Sequence, residues 1–238
     1  MSMEADGTKG KGRRAYDASR RQERASQQRE AALDHAGRRF LDQGYVATTV
    51  ESIAQAADMS AATVYKTYGG KAGLVRELCQ RALTGEGPVP AEARSDALRA
   101  ATDARAVIDG WGDLAAEVSP RISPLLLLLR TAGETDREAD ALHAELDDAR
   151  LARMTDNARY LVEGAHLRAG ITANEARDVL WLCTSPEVYE LLVLRRSWSA
   201  AKFGAFVADT IAGALLCPTG QPRSGRTQLT SPTVEDSG

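Results

Sequence analysis

Between Thr48 and Lys71 the sequence concentrates small, hydroxyl-bearing and basic residues at spacings that suit contact with nucleic acid. Methyl groups of Ala and Thr can meet thymine methyls, and a Thr hydroxyl can bond a base edge. Hydroxyls, backbone amides and ammonium groups bind phosphates. The residues that offer this chemistry are Thr48, Thr49, Ser60, Ala61, Ala62, Thr63, Tyr65, Lys66, Tyr68 and Lys71. We therefore take this stretch as a candidate DNA-binding surface.

Enzyme chemistry has no comparable support in the residue pattern. No metal-ligand set, nucleophile elbow, glycine-rich phosphate loop or pair of carboxylates occurs at a workable spacing. The three cysteines, Cys79, Cys183 and Cys217, are widely spaced and odd in number. That count argues against a disulfide framework or a zinc cluster. We expect a protein that is not an enzyme and that uses no metal and no cofactor.

Two short helices joined by a tight turn are needed to position the candidate residues. Apolar residues at helical spacing predict one buried face for the first of them: Val50, Ile53, Ala54 and Ala57. Thr48 and Glu51 form a capping-box pattern, which predicts that this helix begins at Thr48. Asp58 stands where the turn needs a left-handed residue, and Ser60 is the expected cap of the next helix. An ordinary helical hairpin inside a core would show the same pattern.

Helices on either side complete the predicted N-terminal unit. One is expected from about Gln27 to Asp42, where the following glycine ends it. The third helix of the chain spans Ala61 to about Tyr68, and a fourth runs from Lys71 to about Leu83. We predict an all-α chain in which residues 26–84 form a three-helix, helix-turn-helix DNA-binding domain.

The N-terminal segment is basic and nearly without large apolar residues. Residues 1–85 carry 14 Lys and Arg against 10 Asp and Glu, whereas residues 86–238 carry 16 against 23. A basic front on an acidic body fits a head that meets nucleic acid. Residues 1–25 cannot bury a core and are predicted to be a disordered basic arm. Such an arm could lie along a DNA groove or remain a solvated tail.

A helical body is predicted for residues 91–216, after a linker rich in Gly and Pro at residues 85–90. The expected helices lie at about 91–102, 104–118, 125–129, 136–167, 172–194 (restarted or kinked at Ser185-Pro186) and 199–216. The five successive leucines of Leu125–Leu129 predict a helix that is buried on all sides at the centre of the body. Residues 217–238 are rich in Pro, Gly, Ser and Thr and are predicted to be a disordered tail.

The helix-turn-helix stretch resembles the N-terminal domain of tetracycline-repressor (TetR) family regulators. The resemblance covers roughly residues 26–83 and rests on many residues at fixed spacing: Gly44, Tyr45, Thr48, Thr49, Val50, Ile53, Ala54, Ala57, Ser60, Thr63, Val64, Tyr65, Tyr68, Lys71 and Leu74. It departs from the family pattern at Asp58, where the turn usually has glycine, and at Ala62, where glycine is frequent. These departures make the base preference harder to infer.

The resemblance implies roles for individual residues and an assembly. Thr49, Tyr65 and Lys71 would hold phosphates, while four residues would face bases: Ala61, Ala62, Thr63 and Lys66. Family members are usually homodimers on a palindromic DNA operator. The helices at about 174–194 and 199–216 occupy the positions of the dimer interface, although a plain core would show the same apolar faces.

In the resembled family the body binds a small molecule that releases DNA. An apolar pocket with a few polar groups would serve that purpose here. The first candidates to line it are Trp111, Leu127, Met154, Tyr160, Trp181 and Tyr189. Core packing is the alternative for each of them, since Met and aromatic residues at helical spacing commonly fill cores.

The expected function is therefore a DNA-binding transcriptional regulator, a repressor that binds an operator as a homodimer and is released by a small apolar ligand. The alternative is a ligand-independent regulator or a partner-binding adaptor that keeps the DNA-binding head. No apolar run is long enough to span a bilayer and no signal peptide is evident, so we expect a cytoplasmic protein without a membrane partner.

Overall fold

The computed structural model describes residues 8–85, 87 and 89–217, with side chains from Ser19 onward except Arg21, and helices account for most of these residues. The N-terminal helices are α1 (Thr8–Gln43), α2 (Val50–Ala56), α3 (Ala61–Tyr68) and α4 (Lys71–Thr84). The body holds α5 (Ala91–Leu98), α6 (Ala104–Gly133), α7 (Arg137–Glu163), α8 (Ala173–Cys183), α9 (Pro186–Tyr189), a π-helical turn (Glu190–Leu194) and α10 (Ala200–Leu215). Within these residues the only extended pairing is an isolated bridge between Leu167 and Leu216. The predicted all-α class is confirmed.

The head, α1 to α4, is built around side chains that the helical spacing placed on inner faces. Phe40 of α1, Ile53 of α2, Val64 of α3 and Leu74 of α4 are fully buried against one another in a common apolar cluster. The predicted span of α3 is confirmed, and Ser60 caps it by accepting a hydrogen bond from the Thr63 amide.

Helix α1 begins much earlier than its sequence predicts. It starts at Thr8 rather than near Gln27, so the part of the expected disordered arm from residue 8 onward is helical. The low apolar content suggested disorder, but the segment is rich in Arg, Lys and Ala, which favour helices. The Ser19 hydroxyl also donates to Glu23 one turn later. Residues 1–7 of the expected arm, and residues 218–238 of the expected tail, lie outside the described residues.

Helix α6 is the centre of the body and is longer than predicted. The two Ser-Pro pairs suggested a break between residues 118 and 125, yet Pro120 and Pro124 both lie inside one helix of 30 residues. Packing against α10, α7 and α4 along its length outweighs the backbone hydrogen bonds that the prolines remove. Of the five leucines, Leu125, Leu126 and Leu129 are buried and the other two are half-buried, so the prediction of burial on all sides is wrong.

Helices α6 and α10 cross at two glycines. A Cβ atom added to Gly112 would lie 2.6 Å from the Gly204 carbonyl oxygen, and one added to Gly204 would lie 2.5 Å from the Gly112 carbonyl oxygen. Both distances are far below van der Waals contact, and the obstructing atoms belong to the backbone. The closeness of the two helix axes therefore depends on glycine at both positions.

The other body helices also differ in detail from the sequence-based spans. Helix α5 ends at Leu98 rather than near residue 102, and α7 ends at Glu163 rather than near residue 167. The predicted capping box at Thr172 and Glu175 is confirmed, with each side chain bonded to the other residue's backbone amide. Beyond α8, Ser185 caps α9, which begins at Pro186, and the chain continues as the π-helical turn. Of the two predicted alternatives, a restart or a kink at Ser185-Pro186, the restart is confirmed.

The head and the body share one apolar core. The cluster that holds Phe40, Ile53 and Leu74 also contains Leu125, Leu129 and Ala132 of α6 and Ala139 and Leu142 of α7. An ion pair between Arg76 of α4 and Glu145 of α7 lies at the edge of this contact. A second apolar cluster fills the body between α6, α7, α8 and α10. None of the described helices is long and apolar enough to cross a membrane.

Candidate nucleic-acid interface

Helix α3 presents its polar face to solvent. Val64 is its buried residue, while Ala62, Thr63, Tyr65 and Lys66 are exposed. The Ser60 and Thr63 hydroxyls lie 2.7 Å apart and share a hydrogen bond. The helix thus has an anchored side and a free side, and the free side carries the residues expected to face bases. Ala61 is half-buried and packs partly against the apolar core of the head.

Helix α2 begins one residue later than predicted. Thr49, not Thr48, is the cap, and its hydroxyl accepts from the Ser52 amide at 3.1 Å. Thr48 is 1% exposed, and its hydroxyl donates to the Gly44 carbonyl oxygen at 2.9 Å. A side chain without exposed surface cannot touch DNA, so the inclusion of Thr48 among the DNA-contacting residues is corrected. Its hydroxyl instead closes the loop between α1 and α2.

Lys71 stands at the first turn of α4 and is held in place on one side. Its Nζ donates to the Tyr45 carbonyl oxygen at 3.0 Å and lies 4.3 Å from the centre of the Tyr45 ring. The Tyr45 ring in turn stacks on Phe40 at 5.5 Å. An ammonium group has three donors, so this arrangement fixes the charge and leaves donors for an anion.

The two tyrosines of α3 differ in their surroundings. Tyr65 is 51% exposed and is available to a partner. Tyr68 is half-buried, and its hydroxyl donates to the Arg29 carbonyl oxygen of α1 at 3.0 Å. Burial raises the pKa of the Tyr68 hydroxyl. Tyr68 therefore ties α3 to α1, a contact that the sequence pattern does not predict.

Helix α1 also braces the turn between α2 and α3. Asp58 has a φ of 53°, which confirms the left-handed turn residue. The Gln28 side chain donates to the Asp58 carbonyl oxygen at 2.8 Å, and Arg24 forms an ion pair with the Asp58 carboxylate at 3.3 Å. Aspartate at this family-atypical position thus gives the turn a link to α1 that glycine could not provide.

Close approach of α3 and α4 depends on Gly73. A Cβ atom at this position would overlap the Tyr68 carbonyl oxygen, at 1.5 Å. The two helices therefore meet backbone to backbone just after the Gly69-Gly70 break. This contact sets the distance between the Lys71 ammonium group and the exposed face of α3.

A cavity of about 210 Å³ lies mainly between α5, α6 and α7, and α4, α8, α9 and α10 each add one residue to its lining. Its walls are mainly apolar and include Trp111, Ala115 and Leu126 of α6 and Met154 of α7. The polar groups at its edge include Ser119, Ser123, Arg150, Arg153 and Asn157. Within the described residues the buried Trp111 indole nitrogen has no hydrogen-bond partner.

Two of the six expected pocket residues, Trp111 and Met154, line this cavity. Leu127 lies beside it on α6 and does not line it. Tyr160 donates its hydroxyl to the Ala101 carbonyl oxygen and lines an open, polar surface depression of about 400 Å³ instead. Trp181 meets the Arg150 guanidinium, and Tyr189 packs edge-on against Phe203.

Four of the six expected residues therefore do not line this cavity, because spacing along one helix cannot show which neighbour covers a residue. Their role in ligand binding stays a prediction. Ser119 and Ser123 were not among the expected pocket residues, because the Ser-Pro pairs there predict the starts of new helices.

The cationic groups at the cavity edge are already paired. Arg150 donates to the Asp147 carboxylate and the Trp181 carbonyl oxygen, and Arg153 pairs with Asp96 of α5. Arg99 donates to both Asp96 and Asn157. Helix α5 is therefore fastened to α7 over the cavity by an ionic network.

The Glu117 carboxylate, through Arg94 and Arg121, connects the end of α4 with α5 and α6, which line the cavity. Glu117 of α6 accepts from Arg94 of α5 at 2.6 and 2.8 Å and from Arg121 at 3.1 Å. These two guanidinium groups lower the pKa of Glu117 to about 2. Arg121 also donates to the Ala82 carbonyl oxygen near the end of α4 at 3.0 Å. We call Arg94, Glu117 and Arg121 the hinge triad, since it joins α4, α5 and α6.

No group of three or more His, Cys, Asp or Glu side chains that could hold a metal ion occurs among the described residues. The described residues are suited to binding by contact. They comprise exposed small and hydroxyl-bearing side chains on α3, the fixed ammonium group of Lys71, and the apolar cavity in the body. A helix-turn-helix head on an all-helical body of this kind defines a class of DNA-binding regulators.

Comparisons with known proteins agree with that class. Residues 32–78 match the family described as bacterial regulatory proteins, tetR family. This match covers the helix-turn-helix stretch of the chain and agrees with the resemblance seen in the sequence. No curated protein sequence matches it.

Solved structures similar to this chain include NalD of Pseudomonas aeruginosa, the secondary repressor of the MexAB-OprM multidrug efflux pump, at 20% identity and a TM-score of 0.63, covering 82% of this chain and 98% of that one. SmeT of Stenotrophomonas maltophilia, in a complex with triclosan, is 18% identical with a TM-score of 0.63, covering 87% and 99%. PfmR of Thermus thermophilus is 19% identical with a TM-score of 0.57, covering 77% and 97%. At these identities the likeness concerns the fold.

Proposed function

We propose that this protein is a repressor that binds a palindromic operator as a homodimer and leaves it when a small apolar ligand enters the body. The observation that carries this proposal is the combination of an exposed, polar α3 with an apolar cavity that the hinge triad connects to α4. NalD and SmeT, which share the fold, are both described as repressors of efflux pumps.

For the DNA contacts we propose a division of labour over α2, α3 and α4. Thr49, Tyr65 and Lys71 bind phosphates, and Tyr68 supports them by fixing α3 to α1. Ala61, Ala62, Thr63 and Lys66 face base edges in the major groove. The geometry supports this division, because Lys71 is fixed by Tyr45 while the hydroxyl of Thr63 and the methyl of Ala62 lie on exposed surface.

The ligand that suits the cavity is small, mostly apolar and uncharged. A cavity of about 210 Å³ is somewhat larger than the roughly 150 Å³ that accommodates benzene. Apolar walls favour an aromatic or aliphatic body, and the hydroxyls of Ser119 and Ser123 favour one or two polar substituents. A carboxylate ligand would have to displace Asp147 or Asp96 from the arginines that they already pair with.

Ligand entry would act on the head through the hinge triad and the shared core. A ligand that pushes α5 away from α7 moves Arg94, and with it the contact from Arg121 to the end of α4. The C-terminal part of α6 packs directly into the core of the head. Both routes change where α4 holds Lys71, so they change the spacing of two heads in a dimer.

The surface formed by α8, the π-helical turn and α10 is the proposed dimer interface, in accord with the expected spans of about 174–194 and 199–216. Leu182, Leu191 and Leu194 are 56%, 52% and 53% exposed in the single chain. Leucines exposed to this degree on neighbouring segments favour a partner surface. A second copy of the chain would bury them around a twofold axis, which matches a palindromic operator.

The alternative is a ligand-independent regulator or an adaptor that keeps the DNA-binding head. The cavity favours ligand sensing over this alternative, because a body with no sensing role would gain stability from a filled core. We keep the cytoplasm as the proposed compartment, since operator DNA is there.

Selection of bound sequences from random DNA tests the proposal directly. We expect one enriched palindrome whose half-sites are about one helical turn apart, bound by a species that sediments as a dimer. Substituting Leu182 and Leu191 by Glu is expected to give a monomer with weak DNA binding, whereas Val162→Glu, at an exposed site on α7, is the matched control. Recovery of no enriched sequence would contradict the proposed function.

A further inference from the structure

The N-terminal extension of α1, residues 8–24, is helical, and its described side chains lie outside the apolar core of the head. The first buried side chain of α1 among those described is Ala32. Upstream of it, Ser19, Arg20 and every residue from Gln22 to Gln27 are exposed. The extension therefore continues past the head as a helix whose described side chains cover no apolar surface of the head.

The charge of this extension is strongly positive. It contains seven Lys and Arg residues against Asp17 and Glu23: Lys9, Lys11, Arg13, Arg14, Arg20, Arg21 and Arg24. No acidic residue lies in the first turn of the helix. Positive side chains at a helix N-terminus face the positive end of the helix dipole, so they weaken the helix rather than support it. An anion outside the helix would offset this excess of positive charge.

The extension lies beside the end of α3 that is proposed to enter DNA, which indicates the source of such an anion. Arg24 and Gln28, at the base of the extension, are bonded to Asp58 in the turn that leads into α3. The helix therefore leaves the head next to the N-terminal end of α3, the end with Ser60 and Thr63. From Arg24 back to Thr8 it reaches about 24 Å at 1.5 Å per residue. That length corresponds to roughly seven base pairs at 3.4 Å each.

We propose that residues 8–24 form a second DNA-binding element, a basic helix that binds the phosphate backbone beside the half-site contacted by α3. This proposal rests on the proposed DNA-binding role of the head. The extension adds affinity without adding base preference, because ammonium and guanidinium contacts to phosphates are independent of sequence. It also makes the affinity depend on how much duplex lies outside the palindrome.

The test compares two duplexes and three proteins. One duplex contains only the palindrome recovered by selection, and the other adds eight base pairs on each side. The variant replaces Lys9, Lys11, Arg13 and Arg14 by Gln, and the matched control replaces four exposed arginines of the body by Gln: Arg137, Arg159, Arg168 and Arg196. Affinities are measured by fluorescence anisotropy at several salt concentrations between about 50 and 200 mM.

We expect wild type and the body control to bind the longer duplex at least tenfold more tightly than the short one, and the extension variant to bind both alike. The variant's salt slope on the longer duplex should fall by about 0.9 for each phosphate that is no longer neutralised. Equal affinities of the wild type for the two duplexes, or an unchanged salt slope in the variant, would overturn the second element while leaving the head's function intact. Failure of the wild type to bind either duplex would overturn both proposals.

Discussion

Single residues of the head hold charge and hydroxyl groups in fixed places before DNA arrives. Lys71 is bonded to the Tyr45 backbone and lies over the Tyr45 ring, and the Thr63 hydroxyl shares a hydrogen bond with Ser60. Such pre-positioning reduces the entropy that is lost when a long side chain is immobilised in a complex. It also lets the two proposed roles, phosphate contact and base contact, be tested one residue at a time.

Replacing Lys71 by Ala is expected to weaken binding to all DNA sequences alike. The ammonium group is proposed to bind a phosphate, so the salt slope should fall by about 0.9 for each protomer. Anisotropy titrations with the selected operator and with a scrambled duplex would measure both effects. Lys66→Ala provides a comparison at an exposed lysine proposed to face bases. A loss confined to the operator would contradict the phosphate role of Lys71.

Replacing Thr63 by Ala should change base preference more than it changes affinity. The hydroxyl is exposed and is proposed to bond a base edge, and removing one such interaction costs about 1–3 kcal/mol of discrimination. Repeating the selection with the variant would show a relaxed position in each half-site. Thr67→Ala serves as the control, because the Thr67 hydroxyl is bonded to the Thr63 carbonyl oxygen within the helix. An unchanged sequence profile would argue against direct contact at Thr63.

The Glu117 carboxylate gives the stability of the protein a defined dependence on pH. Its pKa in the folded state is about 2, below the ordinary value near 4.5, because Arg94 and Arg121 hold it as an anion. A lowered pKa stabilises the fold above the unfolded-state value, and this contribution is lost as the pH falls toward 2. Partial exposure screens the pairing, so we expect about 1 kcal/mol at pH 7.

Urea unfolding of wild type and Glu117→Gln at several pH values would measure this contribution. The wild type should be more stable at pH 7, and the difference should narrow between pH 5 and pH 3. Glu134→Gln, at an exposed position after α6, corrects for general acid effects. A difference in stability between the two proteins that is the same at all pH values would show that the charge of Glu117 does not contribute to the stability of the hinge triad.

Helix starts and buried helix faces could be predicted from the sequence wherever a single local pattern determines them. The apolar spacing of α2, the Ser60 cap and the Thr172–Glu175 capping box each specify the observed start or face. Predictions were wrong where distant packing decides. Pro120 and Pro124 do not break α6 because its neighbours hold it along its length. Thr48 and Thr49 both carry a hydroxyl that could cap α2. The Thr48 hydroxyl is bonded to the Gly44 carbonyl oxygen, so Thr49 is the cap.

The candidate sites divide in the same way. The surface of α3 could be anticipated, because one side of a short helix is fixed by the core and the other must be free. The cavity could not, since its walls come from seven helices, α4 to α10, whose relative rotation is not encoded in any one of them. Trp111 and Met154 line it, while Tyr189 and Tyr160 meet other neighbours.

The crossing of α6 and α10 makes a prediction at the level of elements. Gly112→Ala places a methyl group against the Gly204 backbone, which cannot move without separating the helices, and overpacking of this kind costs about 1–3 kcal/mol. Gly213→Ala on α10 is the control, because nothing lies within 4 Å of an added Cβ there. That change should be neutral or stabilise the helix by up to about 1 kcal/mol. Equal effects of the two variants on urea unfolding would contradict the close crossing.

For the whole molecule, the proposed release of DNA by a ligand predicts that a filled cavity blocks the response. Ala115→Leu adds three carbon atoms to the cavity wall and is expected to abolish the response to ligands while operator binding persists. A library of small uncharged aromatic compounds can be screened for loss of anisotropy with labelled operator. Ala152→Leu, at an exposed position on α7 outside the proposed dimer interface, is the control for an added side chain. Release by the same compound in the Ala115 variant would place the ligand elsewhere.

The core that the head shares with α6 and α7 also bears on how proteins of this shape can be recombined. Leu125, Leu129, Ala132, Ala139 and Leu142 are far from the head in sequence but belong to its interior. In a chimera joined at the linker near residue 85, the head would pack against α6 and α7 of another protein. The apolar surfaces of the head and of that body would then not match. The exchangeable unit is therefore discontinuous: it comprises the first 84 residues together with the α6–α7 corner. Grafting that corner along with the head should transfer operator choice between bodies without loss of folding.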